Sequence, residues 1–165
     1  MKSRGIVLIG FMGAGKTSVG GALSELTDLP FIDADERIEA LAGRKIAEIF
    51  YDQGEAAFRE LEHKVLAAIA TEPLSVVATG GGAVIRDDNW PLFQKIGRVV
   101  YLEASPETLY ERVKNETHRP LLQQGKGREA FIKLWHERKP LYAKADMHVK
   151  TEGHTPWEIA SAILS

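Results

Sequence analysis

The chain has 165 residues, of which 44% are hydrophobic and 27% charged, and its formal net charge is -2 at pH 7. This composition is typical of one ordinary globular domain, and the near-neutral charge argues against general affinity for nucleic acid. The lack of cysteine excludes disulfides and cysteine nucleophiles, and no apolar run approaches the ~20 residues of a membrane-spanning helix, so we expect a single cytoplasmic domain, 1–165, without a nucleic-acid or membrane partner.

A short aliphatic strand, Ile6–Ile9, leads into the loop Gly10-Phe-Met-Gly-Ala-Gly-Lys16-Thr17. The loop matches the phosphate-binding pattern G-x-x-x-x-G-K-T, in which glycine lets successive backbone N–H groups face one anion at the start of a helix. That helix is indicated by three apolar residues at helical spacing: Val19, Leu23 and Leu26. Lys16 is expected to reach the β- and γ-phosphates, and the Thr17 hydroxyl to bind Mg²⁺. The sequence therefore predicts a site for a nucleoside triphosphate.

The second predicted strand, Phe31-Ile32, ends in Asp33-Ala34-Asp35. If it runs parallel to the first, both carboxylates lie at the edge of the sheet that carries the phosphate loop, where open α/β sheets bind ligands. Alternation along an extended chain would place Asp33 and Asp35 on one side, roughly 6.5–7 Å apart. One could then serve Mg²⁺ through water while the other faces an acceptor hydroxyl. Asp35 could equally cap the helix that follows it, and the residues alone leave both readings open.

Residues 33–60 contain a short helical segment, two glycines and many charges, so we interpret them as an excursion from the sheet. A helix with one apolar stripe comes next, formed by Phe58, Leu61, Val65, Leu66 and Ile69. The third strand, Val76–Ala78, passes into Gly80-Gly81-Gly82 without a carboxylate. Motor and switch proteins usually carry an aspartate at such a strand, so its absence weakens those readings. Consecutive glycines instead let a ligand approach the backbone closely.

Two further strands are predicted, at Val99–Leu102 and Met147–Val149. Ser105-Pro106 and Thr155-Pro156 each place a hydroxyl before a proline, which is the pattern of a capped helix start. Residues 116–127 are predicted to form a loop. Five strands that alternate with helices indicate an α/β fold, with a parallel sheet covered by helices on both faces.

Taken together, these motifs resemble those of shikimate kinases, which belong to the small phosphate-loop kinases similar to nucleoside monophosphate kinases. The resemblance rests on the phosphate loop at 10–17 and on Asp33-Ala-Asp35, Phe58-Arg59 with Glu62, Gly80-Gly-Gly82, Arg119-Pro-Leu-Leu122, and Arg138 before Pro140-Leu-Tyr142. It implies a three-layer P-loop kinase fold with a five-stranded parallel sheet in the order 2-3-1-4-5. It also implies a substrate-binding region at 33–60 and a mobile lid at 113–126.

The resemblance implies an activity as well: transfer of the γ-phosphate of ATP to the 3-hydroxyl of shikimate, with Mg²⁺, in aromatic amino acid biosynthesis. A monomer is expected. The positions that would bind ATP are Gly13, Ala14, Gly15, Lys16, Thr17, Ser18, Arg112 and Arg119. The positions that would bind shikimate are Asp35, Arg59, Gly80, Gly81, Gly82 and Arg138.

Further roles follow from the same resemblance. Thr17 would bind Mg²⁺ directly and Asp33 through water. Arg112 would stack on adenine, and the catalytic residues would be Lys16, Asp35 and Arg119, the last of them carried by the lid.

Several alternatives stay open at the level of sequence. Arginine suits a carboxylate because its guanidinium is planar, bidentate and always charged, but Arg59 could instead form a surface ion pair with Glu55 or Glu62. Asp35 could act as a general base or only position the acceptor. A kinase for another polyol acid, such as gluconate, and a nucleotide-binding module without turnover are the competing functions.

Overall fold

Five parallel strands form one sheet in the order β2-β3-β1-β4-β5, as expected. The computed structural model describes residues 4–115 and 127–165. The strands are β1 (Gly5–Ile9), β2 (Phe31–Asp33), β3 (Val76–Ala78), β4 (Gly97–Glu103) and β5 (Met147–Lys150). β1 lies at the centre, where Val7, Leu8 and Ile9 are fully buried. Its continuous apolar run reflects a parallel sheet that is covered on both faces.

Helices connect the strands and cover the sheet. They are α1 (Lys16–Thr27), α2 (Ala34–Ala42), α3 (Ile46–Ile69), α4 (Asn89–Ile96), α5 (Pro106–Val113), α6 (Gly127–Tyr142) and α7 (Pro156–Leu164), with a 3-10 turn at Ala83–Ile85. The hydroxyls of Ser105 and Thr155 accept hydrogen bonds from the first turns of α5 and α7, which confirms both predicted caps. The helix predicted from Val19, Leu23 and Leu26 is confirmed as α1, in which Val19 and Leu23 are buried and Leu26 is half exposed.

The region between β2 and β3 is helical and interrupted. α3 breaks at Gly54, whose φ of 85° and ψ of 172° lie outside the helical range and in a region that favours glycine. Beyond the break, Phe58, Val65, Leu66 and Ile69 of the predicted apolar stripe are buried. α2 packs mainly against α3.

Within the described ranges, 4–115 and 127–165, no helix combines the length and apolar character needed to cross a bilayer.

Two glycines start adjacent strands side by side. Gly5 of β1 pairs with Gly97 of β4 in the parallel register. A Cβ on Gly97 would lie 2.7 Å from the Cα of Gly5 and closer still to its carbonyl group. The contact partner is backbone in a central strand, so it has little freedom to move aside.

We expect Gly97→Ala to lower the free energy of unfolding by about 1–3 kcal/mol, because the added methyl group must displace the β1 backbone. The measurement is urea denaturation followed by circular dichroism. Gly21→Ala in α1 is the matched control: no atom lies within 4 Å of a Cβ there, so the substitution should stabilise the helix by roughly 0.5–1 kcal/mol. Equal effects of the two variants would contradict the close approach of β1 and β4.

Candidate active site

Two adjoining cavities open at the carboxyl ends of β1, β2 and β3. The larger cavity has a volume of about 710 Å³ and is lined mainly by residues of α2, α3, the glycine run after β3, and α6. The loop cavity, of about 300 Å³, is lined by the phosphate loop and the start of α1. Both cavities share five lining residues: Thr17, Asp33, Asp35, Gly80 and Gly81. A ligand in one cavity therefore lies next to a ligand in the other.

The phosphate loop has the backbone conformation that its sequence predicts. Gly13 and Gly15 have φ values of 84° and 90°, which side chains rarely adopt. α1 begins directly at Lys16 and no side chain caps its start, where the helix dipole favours an anion. The Lys16 ammonium donates to the carbonyl oxygens of Gly10 at 2.5 Å and Phe11 at 3.2 Å. The predicted nucleotide residues from 13 to 18 all line the loop cavity.

Arg112 lies at the rim of the loop cavity, in the last turn of α5. Its Nη1 donates to the carbonyl oxygen of Gly13 at 2.9 Å, and the residue is exposed. The side chain is thus anchored to the phosphate loop.

Asp33, and not Asp35, caps α2. The Asp33 Oδ1 accepts from the backbone N–H of Asp35 at 2.9 Å and of Glu36 at 3.3 Å. The expected extended spacing of Asp33 and Asp35 was wrong, because the helix begins at Ala34, directly after the strand. Asp35 therefore projects from the first turn of α2, where it lines both cavities.

Thr17 and Asp33 form an oxygen-rich pair at the junction of the cavities. The Thr17 hydroxyl donates to the Asp33 Oδ2 at 3.4 Å. Mg²⁺ prefers oxygen ligands, keeps several waters, and commonly uses one or two protein oxygens together with substrate phosphates. In the part of the chain that the structure describes, no group of three or more His, Cys, Asp or Glu side chains could hold a metal alone. The pair fits a phosphate-bound Mg²⁺ better than a metal held by protein alone.

The glycine run makes room for side chains of the protein. A Cβ on Gly80 would lie 2.7 Å from the Asp35 Oδ1 and 3.1 Å from the Glu62 Oε2. A Cβ on Gly82 would lie 2.8 Å from the Arg59 Nη1 and even closer to its Nη2. The run therefore lets charged groups from α2 and α3 meet at the end of β3.

Arg59 forms a buried ion pair and not a surface one. Its Nη1 lies 3.0 Å from the Glu62 Oε1, and the two side chains are 13% and 1% exposed. Burial raises the pKa of Glu62 to about 7, against the opposing charge of Arg59 and with a further rise from Asp35. The sequence motifs include Glu62 beside Phe58-Arg59 but assign it no role of its own. Its spacing of four residues from Phe58 and three from Val65 places it in the apolar stripe of α3, and this signal could have predicted its burial.

Arg138 projects from α6 into the same region and is 6% exposed. Burial lowers the pKa of its guanidinium, which lies 5.7 Å from the centre of the Phe11 ring. Among the described residues, no hydrogen-bond acceptor meets the buried Nε of Arg138 or of Arg59. Both arginines line the larger cavity, so it presents two cations whose donor groups are not fully used.

Arg119 and residues 116–126 of the predicted lid lie outside the described residues. The other predicted positions are brought together: the nucleotide set around the loop cavity, and Asp35, Arg59, Gly80, Gly81, Gly82 and Arg138 around the larger one.

Comparison with known proteins gives a consistent result. The family model described as SKI, shikimate kinase, matches residues 12–165. A shikimate kinase of Thermodesulfovibrio yellowstonii is 45% identical over 161 residues, which cover 98% of this chain and 93% of the relative. The solved structure of shikimate kinase from Acinetobacter baumannii in complex with shikimate has a TM-score of 0.94 at 37% identity, covering 98% of this chain and 90% of that one. A gluconokinase from Sinorhizobium meliloti, with a TM-score of 0.56 at 21% identity over 96% of this chain and 87% of its own, shares the fold alone.

The buried carboxyl group of Glu62 should make the free energy of unfolding depend on pH. Since its pKa in the folded protein is about 7 and the ordinary value is 4.5, the folded state binds more protons in this range. The free energy of unfolding should then fall as the pH rises from about 4.5 to 7. Glu62→Gln lacks this contribution. Over that pH range we therefore expect its free energy of unfolding to fall by at least about 1 kcal/mol less than that of the wild type.

The measurement is urea denaturation at several pH values between 5 and 7 for both proteins. Glu72→Gln is the control, because Glu72 forms an exposed pair with Arg37 at 2.8 Å, whose hydrogen bond lowers the pKa of Glu72. Its carboxylate is ionised in both states over this range and should not alter the slope. A wild-type slope equal to that of Glu62→Gln would contradict the raised pKa.

Proposed function

This chain belongs to the shikimate kinase family, and on that premise we propose that it transfers the γ-phosphoryl group of ATP to the 3-hydroxyl of shikimate, giving shikimate 3-phosphate and ADP. The reaction would take place in the cytoplasm, as a step of aromatic amino acid biosynthesis. The family is established by the match over residues 12–165 and by relatives that are 40–46% identical.

The observation that carries the proposal is the pair of arginines, Arg59 and Arg138, in a cavity that adjoins a phosphate loop. Shikimate carries one carboxylate and three hydroxyls. Guanidinium groups suit the carboxylate of shikimate. Asp35 can accept a hydrogen bond from a hydroxyl group, and the N–H groups of Gly81 and Gly82 can donate to hydroxyl or acidic oxygens. The outer wall of the cavity comes from residues 39–58, within the predicted substrate region 33–60.

The loop cavity takes the phosphates of ATP in this proposal. Backbone N–H groups from Gly13 to Ser18 would hold their oxygens, and the Lys16 ammonium would move from the loop carbonyls onto the β- and γ-phosphates. Arg112, fixed to Gly13 at the rim, would lie against the adenine. Arg119, which lies outside the described residues, would add positive charge from the lid at 113–126.

Thr17 and Asp33 would hold Mg²⁺, the former directly and the latter through water. When bound, the metal would neutralise the negative charge that develops on the phosphate oxygens during transfer. The support for this assignment is the hydroxyl–carboxylate pair at the junction of the two cavities.

Asp35 would hold the acceptor hydroxyl, because it lines both cavities and can contact an alcohol that faces the phosphate loop. The alcohol oxygen forms a bond to the γ-phosphorus while the bond from that phosphorus to the bridging oxygen breaks, and the electron pair leaves with ADP. The alcohol proton passes to Asp35. Since the transition state is loose, holding the oxygen in line contributes more than strong basicity would.

The direct test is an assay of purified protein with ATP and Mg²⁺, in which ADP release is coupled to NADH oxidation. We expect release that depends on shikimate, with ³¹P NMR showing a new phosphate ester. Gluconate, offered at the same concentration, should give no more than background. A preference for gluconate would refute the proposed acceptor, and tight ATP binding without any phosphorylated product would indicate a binding module.

Arg138→Ala should affect the binding of shikimate in the larger cavity and leave the binding of ATP in the loop cavity unchanged. Loss of a charge-assisted hydrogen bond is worth about 1.5–3 kcal/mol, so KM for shikimate should rise roughly tenfold to a hundredfold while the affinity for ATP stays near that of the wild type. Arg37→Ala, which removes an arginine that forms an exposed pair with Glu72, is the control and should change neither constant. If ATP affinity fell and shikimate affinity held, Arg138 would belong to the nucleotide side.

A further inference from the structure

The glycine loop, defined as residues 80–84, has every carbonyl group engaged by the protein. The carbonyls of Gly80 and Gly82 accept from backbone N–H groups within the turn, at 3.2 and 3.1 Å. Side chains of later elements hold the other three: Tyr142 Oη donates to Gly81 O at 2.7 Å, Asn89 Nδ2 to Ala83 O at 2.8 Å, and Trp90 Nε1 to Val84 O at 3.1 Å.

Two N–H groups of this loop, in contrast to its carbonyl groups, have no partner in the described part of the protein. Within the described part of the chain, the N–H groups of Gly81 and Gly82 donate to no acceptor. Both residues line the larger cavity beside Arg59 and Arg138. The loop thus has two unused donors beside the cavity and acceptors that the protein engages, an arrangement that suits a ligand with acidic or hydroxyl oxygens.

Tyr142 is the side chain that fixes the middle of this arrangement. It lies at the end of α6, is fully buried, and stacks on Tyr101 with ring centres 4.7 Å apart and planes at 4°. Burial raises the pKa of Tyr142, although the charge of Arg138 works against the rise, so the phenol keeps its proton and donates it to the Gly81 carbonyl. Arg138 precedes Tyr142 by one helical turn. α6 therefore supplies both the guanidinium group that lines the larger cavity and the hydroxyl group that holds the Gly81 carbonyl.

The geometry of the peptide between Gly81 and Gly82 links the phenol to the cavity. In a trans peptide the C=O and the following N–H point to opposite sides. With its oxygen held on the interior side by Tyr142, this peptide turns the N–H of Gly82 away from the interior. A peptide flanked by two glycines rotates more readily than any other, so without the phenol its orientation is poorly fixed.

We propose that Tyr142 is a positioning residue for the acceptor: by holding the Gly81 carbonyl, it keeps the Gly82 N–H directed at an oxygen of the acceptor bound beside Arg138. The inference rests on the proposed function, because it takes shikimate as the acceptor. Tyr142 itself touches no substrate and acts through the backbone of the glycine loop, and its side chain also interacts with that of Arg138.

Tyr142→Phe tests the proposal, since it removes the hydroxyl and keeps the stacked ring. We expect KM for shikimate to rise roughly fivefold to tenfold, as for loss of one hydrogen bond, with kcat and KM for ATP close to the wild type. Tm should fall by only a few degrees, because one buried carbonyl group loses its donor while the stacked ring stays in place. Tyr101→Phe is the matched control: it removes a hydroxyl from the other ring of the same stack and leaves the Gly81 carbonyl held. It should change none of these values.

The outcomes separate the inference from the function. Equal shikimate KM values for Tyr142→Phe and Tyr101→Phe, in an active enzyme, would overturn the inference alone. A variant in which both KM values rise together with a lowered Tm would show that Tyr142 serves folding only, which also overturns it. A wild-type protein without shikimate-dependent ADP release would reject the function and the inference together.

A second measurement uses the wild-type protein and so does not depend on the folding of any variant. In protein labelled with ¹⁵N-glycine, shikimate added without nucleotide should move the Gly82 amide proton downfield, because this group gains an acceptor. Glycines outside both cavities, such as Gly43 and Gly153, should not move. An unchanged Gly82 resonance at saturating shikimate would overturn the proposal.

Discussion

The site is organised around a compact set of charges that are largely withdrawn from water: Asp35, Arg59, Glu62 and Arg138. Burying one charge is expensive unless an opposite charge and hydrogen bonds accompany it. Arg59 and Glu62 meet this condition for each other at 3.0 Å. The set as a whole contains two cations and two carboxyl groups, and the raised pKa of Glu62 shows that burial still outweighs the attraction of Arg59. Because Glu62 can hold a proton near neutral pH, the cluster can take up a negatively charged ligand without an excess of negative over positive charge.

The sheet explains why these groups meet. Because β2, β3 and β1 are adjacent and parallel, the segments that follow them all emerge at one edge: α2 with Asp35, the glycine loop, and the phosphate loop. α3 and α6 then bring Arg59 and Arg138 to the same edge from outside the sheet. The glycines after β3 are needed for this convergence, since a side chain at position 80 or 82 would occupy the space taken by Asp35, Glu62 and the Arg59 guanidinium.

Local patterns in the sequence were sufficient for much of this arrangement. The phosphate loop, the five strands and the caps at Ser105 and Thr155 depend on neighbouring residues, and the structure confirms them. The role of Asp33 as the cap of α2 was not predicted, because it depends on where the strand ends and on a contact with Thr17, sixteen residues earlier. The hold of Tyr142 on the Gly81 carbonyl spans sixty-one positions and leaves no local signal. Contacts between residues far apart in the sequence therefore complete the site, and a sequence motif does not reveal them.

The wall that the two cavities have in common carries a thermodynamic consequence. Thr17, Asp33, Asp35, Gly80 and Gly81 face both compartments, so an occupant of one changes the electrostatic surroundings of the other. Such coupling is reciprocal: whatever factor the first occupant imposes on the affinity of the second, the second must impose on the first. The order in which the two molecules arrive therefore leaves the stability of the ternary complex unchanged, and only the rates along the two routes can differ.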